Sequence, residues 1–145
     1  MFMRFERMHR SKSFEVPTVM KNGIGIIRLL GEEQKKLGVS KPLIVTDTGV
    51  VKAGLLEPVT ASLKEAGLTC AVYDCVVANP PLDCVAGATE MYLKENCDGL
   101  IAVGGGSSMD TAKAAGVEIA HGEPVLNYEC AEGKKELTKR IPKLT

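Results

Sequence analysis

The run Leu100-Ile101-Ala102-Val103 passes without a break into Gly104-Gly105-Gly106 and then into a segment of helical period. No other segment constrains the fold as tightly. A short apolar run with β-branched members fits a strand buried on both faces, as in a parallel sheet covered by helices. The glycines let the backbone turn sharply, because no Cβ restricts them. From Ser108 to Ala120, the residues Met109, Ala112, Gly116 and Ile119 fall on one helical face, and Gly122 closes the segment. A strand, a glycine turn and a helix in immediate succession are the working part of an α/β unit.

The same alternation runs through the rest of the chain. Phe14 to Met20 reads as a first strand, at a sheet edge because Pro17 interrupts it, and Lys21-Asn22-Gly23 reads as a turn. Ile27, Leu30, Gln34 and Leu37 then keep helical spacing up to Gly38. Pro42 to Asp47 is a second fully apolar strand that stops on polar residues. Leu56, Val59, Leu63 and Ala66 mark a helix ending at Gly67, and Thr69 to Cys75 a strand. The loop Asn79-Pro80-Pro81 is stiffened by its prolines. Asp83 stands where it can cap a helix carrying Val85, Ala88, Met91 and Tyr92. Beyond Pro124 the pattern weakens. Glu129 to Arg140 is charged and reads as a solvated loop or short helix, and Ile141 to Thr145 resembles the start of another strand. A strand beginning at the end of a chain suggests a piece of something longer. The fold class expected is α/β: a Rossmann-like parallel sheet with helices on both faces, formed by one domain over residues 1–145.

Composition narrows the partners. The formal net charge is +0, aromatic residues are 4% and Trp is absent, so neither electrostatics nor base stacking favours a nucleic-acid partner. No apolar run reaches the roughly 20 residues of a membrane helix, so no membrane partner is expected. The charged stretch Met1 to Lys12 lacks the apolar core of a secretory signal. Five cysteines without a C-x-x-C pair read as reduced thiols of a cytoplasmic protein, and two distant histidines argue against a metal site within the chain.

The glycine turn carries chemistry as well as geometry. The first N–H groups of a helix lack partners inside it and point at whatever lies beyond its N-terminus. An anion such as a pyrophosphate is held there by those groups and by the helix dipole. Ser107 stands where it can cap this helix, with Asp110 at capping-box spacing. The alternative is a tight structural turn without a ligand. The usual dinucleotide fingerprint is not met: its third glycine position holds Met109, and no acidic strand end lies about 20 residues downstream. Asp47, at the end of an earlier strand, is instead able to hydrogen-bond both hydroxyls of an adenosine ribose and to repel a 2′-phosphate, favouring NAD over NADP. The alternative for Asp47 is a loop carboxylate that caps the next helix, with Thr48 sharing the task.

Together these segments resemble the iron-containing alcohol dehydrogenase family, within the dehydroquinate-synthase-like superfamily. The resemblance rests on Gly104-Gly105-Gly106-Ser107-x-x-Asp110-x-Ala112-Lys113. It also rests on Ile44-Val45-Thr46-Asp47 with Gly49 to Leu55, on Val76-Val77-Ala78-Asn79-Pro80, and on Cys97 to Val103. These run in order from about Phe14 to the C-terminus. The resemblance implies the N-terminal domain of a two-domain fold, whose other domain is all-helical, lies outside this chain and binds a divalent metal, usually iron. It implies NAD as cofactor, a small alcohol or aldehyde as substrate, and hydride transfer between them. It implies that Asp47 holds the ribose and that Asn79 lies along the cofactor. Gly105, Gly106 and Ser107 would bind the pyrophosphate through backbone N–H groups, with Ser108, Met109 and Asp110 completing the turn. Lys113 would face the same cleft, or else solvent. Ala78 departs from the family's proline before Asn79, and Lys21 to Gly25 replaces a common Phe-Gly-x-Gly loop. The chain stops short of the family's Thr-Thr-Ala-Gly-Thr-Gly-Ser-Glu segment.

The expectation is therefore a chain that binds NAD weakly and does not catalyse alone, with no catalytic residue and no metal ligand of its own. Its apolar partner-facing surface would favour self-association into a homo-oligomer. Two alternatives are a non-catalytic domain for a nucleotide or protein partner, and a relative of glycerol dehydrogenase or dehydroquinate synthase.

Overall fold

A computed structural model describes residues 19–128 and 135–145. Most of the strand expected over Phe14–Met20 lies outside the described residues, as do His9, Cys130 and positions 129–134 of the charged stretch; Val19 and Met20 are exposed and irregular. A 3-10 turn at Ile26–Leu29 runs into α1 (Leu30–Lys36), followed by β1 (Pro42–Val45). Next come α2 (Thr48–Lys52), α3 (Glu57–Glu65), β2 (Ala71–Tyr73) and α4 (Leu82–Lys94). β3 (Gly99–Ala102), α5 (Gly106–His121), a 3-10 turn at Val125–Tyr128 and β4 (Lys143–Leu144) complete the order.

The strands form one sheet in the order β2-β1-β3-β4, parallel throughout. Every residue of β1 and β3 is buried, as continuous apolar runs require. Alternation along the strands then sorts side chains into two cores. Leu43, Val45, Leu100 and Ala102 pack with Tyr73, with Val85 and Ala88 of α4, and with Ala112 and Ala115 of α5. Ile44 and Ile101 face the other way, onto Leu56, Val59 and Leu63 at α3, with Ile27 and Leu30 closing over them. Each fully buried side chain of this size contributes roughly 1.5–3 kcal/mol from removal of apolar surface from water. Helices thus cover both faces, as the sequence pattern predicts.

On the second face, α1 and α3 approach at backbone distance. A β-carbon on Gly31 would stand 2.4 Å from the Ser62 carbonyl oxygen and 2.5 Å from the Ala66 β-carbon. The hydroxyl of Ser62 fills the seam, accepting the Gly31 N–H at 3.1 Å and donating to the Arg28 carbonyl at 3.0 Å.

Some element ends differ from the sequence reading. The helix read through Leu56 to Ala66 is shorter, with α2 as a separate piece before it; Gly54, at φ 72°, lies between the two. Asp83 is not a cap. Pro81 occupies the N-cap of α4, and Asp83 sits in the first turn, where its charge complements the helix dipole. The strand anticipated at Ile141–Thr145 is β4, in register with β3 through Leu100 and Lys143.

Candidate functional site

The strand order places β1 between β2 and β3, so the chain leaves β1 toward one neighbour and returns on its other side. That reversal is a topological switch point, and open α/β sheets bind ligands in the crevice outside it, at the carboxyl ends of the strands. Asp47 follows β1 and the glycine turn follows β3, so both stand at this crevice.

Asp47 is half-buried and occupies the N-cap of α2. Its Oδ1 accepts the N–H of Gly49 at 2.8 Å and of Val50 at 3.0 Å. The capping reading is thus correct for one carboxylate oxygen, while Thr48 is the first residue of α2. The other oxygen, Oδ2, lies 3.4 Å from where a β-carbon on Gly104 would be. On its other side Asp47 forms an isolated antiparallel bridge with Cys75. Cys75 is exposed, and its thiol is held above the usual range by partial desolvation and by the Asp74 carboxylate it bonds at 3.6 Å. A thiol shifted that way is a poor nucleophile.

Gly104 has φ 140°, a conformation that side-chain-bearing residues rarely adopt, and its missing Cβ would stand 2.8 Å from the Ser108 hydroxyl. Gly105 is the N-cap of α5, so Ser107 lies within the helix and caps nothing. No side chain caps α5 at all. Its first N–H groups therefore keep the unmet demand that an anion can satisfy. Above them the space is open, since a β-carbon on Gly105 or Gly106 would meet nothing within 4 Å. Below them Ser108 is 1% exposed and its hydroxyl has no partner. An orphaned hydroxyl under an uncapped helix end, beneath a glycine turn without side chains, fits a bound phosphate group.

The remaining predicted residues divide. Met109 is half-buried against the core of the first face, which makes it a packing residue. Asp110 and Lys113 are both exposed and pair at 3.6 Å along the first turns of α5. Asn79 is exposed at φ 51° in the loop between β2 and α4. Its loop starts at the crevice, because the N–H of Val76 donates to the Thr46 carbonyl at 3.2 Å. Among the described residues no cluster of three or more His, Cys, Asp or Glu could hold a metal ion. Among the described residues no helix is long and apolar enough to cross a membrane.

Thr46 was absent from the sequence-predicted set. It is fully buried, and its hydroxyl donates to the Val103 carbonyl at 2.7 Å. The signal was there: a hydroxyl ending a strand buried on both faces has to find a partner.

Comparison with known proteins agrees with this geometry. The sequence pattern described as "Iron-containing alcohol dehydrogenase" matches residues 17–145. Choline dehydrogenase of Bacillus subtilis (strain 168) is 57% identical over 143 residues, covering 99% of this chain and 36% of that protein. NAD-dependent methanol dehydrogenase of Bacillus methanolicus is 37% identical over 117 residues, covering 81% of this chain and 31% of that protein. Among solved structures, NADH-dependent butanol dehydrogenase A of Thermotoga maritima superposes with a TM-score of 0.81 at 32% identity, over 92% of this chain and 33% of its own. The chain thus spans about a third of the length of the relatives it matches. The family pattern and the superposition agree, and the chain belongs to the iron-containing alcohol dehydrogenase family.

Proposed function

We propose that the crevice at the ends of β1 and β3 binds NAD, and that this chain is the cofactor-binding part of an NAD-dependent, metal-dependent alcohol dehydrogenase. The observation that carries the reading is the uncapped, sixteen-residue helix α5 behind an open glycine turn at the switch point. In this reading residues 1–145 are one dinucleotide-binding domain. Its all-helical partner domain, the divalent metal, typically iron, and the metal ligands lie outside it.

The residues divide the cofactor between them. The backbone N–H groups of Gly105, Gly106 and Ser107 take the pyrophosphate, and the buried Ser108 hydroxyl supports the same end of α5. Asp47 takes the adenosine ribose through Oδ2, since Oδ1 is committed to capping α2. Its negative charge disfavours a 2′-phosphate, which gives NAD preference over NADP. Asn79 lies along the cofactor from the β2–α4 loop, and Met109 and Asp110 complete the turn as packing and solvent-facing residues. When bound, the nicotinamide supplies a hydride acceptor for a small primary alcohol, or a donor for the aldehyde. Choline is the first alcohol to test in a longer protein, because the relative named for it is 57% identical. The free cysteines Cys70, Cys75, Cys84 and Cys97 suit the reducing cytoplasm.

Titration of the 145-residue chain with NADH, followed by nicotinamide fluorescence, tests the reading. Saturable binding at millimolar cofactor or below is expected, and none would overturn it. Oxidation of ethanol, propanol or choline by this chain alone would overturn the assignment of the metal and the chemistry elsewhere.

A further inference from the structure

The ends of β1, β2 and β3 are joined at one residue to which no part of the cofactor has been assigned. Thr46 is fully buried at the end of β1. Its backbone N–H donates to the Tyr73 carbonyl of β2 at 2.8 Å, and its carbonyl accepts the N–H of Val76 at 3.2 Å. Its backbone is therefore committed to the β2 side. The β3 side is served by its side chain, whose hydroxyl donates to the Val103 carbonyl at 2.7 Å. The N–H of Val103 meanwhile donates to the Val45 carbonyl at 3.0 Å. The hydroxyl thus adds one rung to the β1–β3 ladder after the backbone of β1 has turned away toward Asp47.

That rung acts on a specific peptide. The Val103 carbonyl belongs to the same rigid plane as the N–H of Gly104, so the Thr46 hydroxyl fixes the orientation in which the chain enters the glycine turn. Gly104 is the pivot of that turn at φ 140°, and glycine by itself defines its torsions poorly. Without the rung, a part-buried carbonyl would lose its partner just ahead of the most permissive residue in the site. We infer that Thr46 is the positioning residue of the cofactor crevice. One hydroxyl holds the glycine turn, and one backbone holds the start of the Asn79 loop, against the strand that carries Asp47. This rests on the NAD reading for its consequence, though its geometry stands apart from it.

The test compares Thr46→Val, which keeps the shape and removes the hydroxyl, with Thr46→Ser, which keeps the hydroxyl. NADH affinity should fall about tenfold in Thr46→Val, the effect of one part-buried acceptor left unpaired, and stay within about twofold in Thr46→Ser. Amide hydrogen exchange supplies the second readout. In Thr46→Val, exchange should quicken at Val103 and Met109, whose N–H groups donate to the Val45 carbonyl at 3.0 Å and the Gly105 carbonyl at 3.2 Å, while the rest of β1 and β3 keeps its protection. Should Thr46→Val fail to fold, Thr46→Ala against Thr46→Ser gives the same contrast, since both lose the methyl and only one keeps the hydroxyl. Unchanged affinity with unchanged exchange overturns the inference, and so does a uniform loss of protection across the sheet, which marks a purely structural residue. If the wild-type chain binds no NADH, the NAD reading fails, and local exchange at Val103 and Met109 still decides the role of Thr46.

Discussion

Asp47 and Gly104 meet across the ends of β1 and β3, with Oδ2 of Asp47 3.4 Å from the point where a β-carbon on Gly104 would stand. The relationship joins residues 57 positions apart, a separation that only the parallel pairing of β1 with β3 closes. It also explains why position 104 has to be glycine. A side chain there would press on the Ser108 hydroxyl at 2.8 Å beneath the turn and on the carboxylate beside it.

Gly104→Ala and Gly105→Ala should therefore fail in different ways. At Gly104 the substitution meets both a positive φ and a close contact, so the fold itself should lose about 1–3 kcal/mol, the cost of one strained residue. At Gly105, where φ is −85° and nothing lies within 4 Å of a new Cβ, folding should be nearly unaffected. The methyl would instead project into the open space above the turn, and NADH affinity should drop at least tenfold. Thermal melting paired with NADH titration separates the two. A Gly105→Ala chain that binds NADH as well as wild type would remove the pyrophosphate from this turn.

The dual use of the Asp47 carboxylate sets up a second pair. Asn caps helices about as well as Asp, whereas Ala at an N-cap costs ~1 kcal/mol. Asp47→Asn should thus keep the stability of α2 and Asp47→Ala should lose it. Both remove the negative charge, so both should narrow the preference for NADH over NADPH. Fluorescence titration with the two cofactors measures the ratio, and an unchanged ratio in Asp47→Asn would exclude the carboxylate as the discriminating group.

These contrasts also show what a sequence can carry. The buried strands were legible because Leu43 to Val45 and Leu100 to Ala102 are continuous apolar runs, and the helices because their apolar residues repeat on one face. The glycine turn was legible for the same reason, since it sits at the junction of two such patterns. The N-caps of α4 and α5 were not, although Asp47 at the start of α2 and Gly122 at the end of α5 were. Ser107 has the right residue type at the right spacing, but the chain enters α5 two residues earlier, with Gly105 as the N-cap in an extended conformation. Thr46 was hidden for another reason. Its importance lies in a hydrogen bond to Val103, and strand order decides that contact, whereas no local pattern announces it.

Acid should weaken the fold through Asp98. Its carboxyl joins the turn before β3 to the turn before β1. Oδ2 accepts the N–H of Ser40 at 2.9 Å and also its hydroxyl, and Oδ1 accepts the N–H of Lys41 at 2.8 Å. Burial by itself pushes this carboxyl up, but the Ser40 hydroxyl and the Lys41 and Ser40 N–H groups outweigh it, and the net shift is downward. A carboxyl that titrates lower in the folded chain binds fewer protons there than in the unfolded chain. Its stabilisation is therefore complete above the ordinary Asp value of about 3.9 and is lost as pH falls through the lower folded value. Urea unfolding of wild type and Asp98→Asn should differ most near neutral pH and converge below about pH 4. A difference that stays constant across that range would mean that Asp98 does not titrate as described.

The link between α5 and β4 offers a prediction at a single side chain. Nδ1 of His121 lies 3.0 Å from the Val117 carbonyl, which requires the hydrogen on Nδ1. Nε2 is then left as an acceptor, and it takes the N–H of Thr138 at 3.2 Å and of Lys139 at 3.3 Å. Tyr128 packs on the ring with centroids 4.5 Å apart, which holds the imidazole in that orientation. His121→Ala should leave Thr138 and Lys139 without their acceptor, and their amide exchange should rise about fivefold to tenfold, as expected for one hydrogen bond worth ~1 kcal/mol. The strand beyond them has its own support, because the N–H of Leu100 donates to the Pro142 carbonyl at 2.9 Å. Protection at Leu100 and Leu144 should therefore persist. If exchange at Leu100 rises together with that at Thr138, β4 depends on His121 for its pairing, and the imidazole is an anchor for the strand and more than a tether for the segment leading to it.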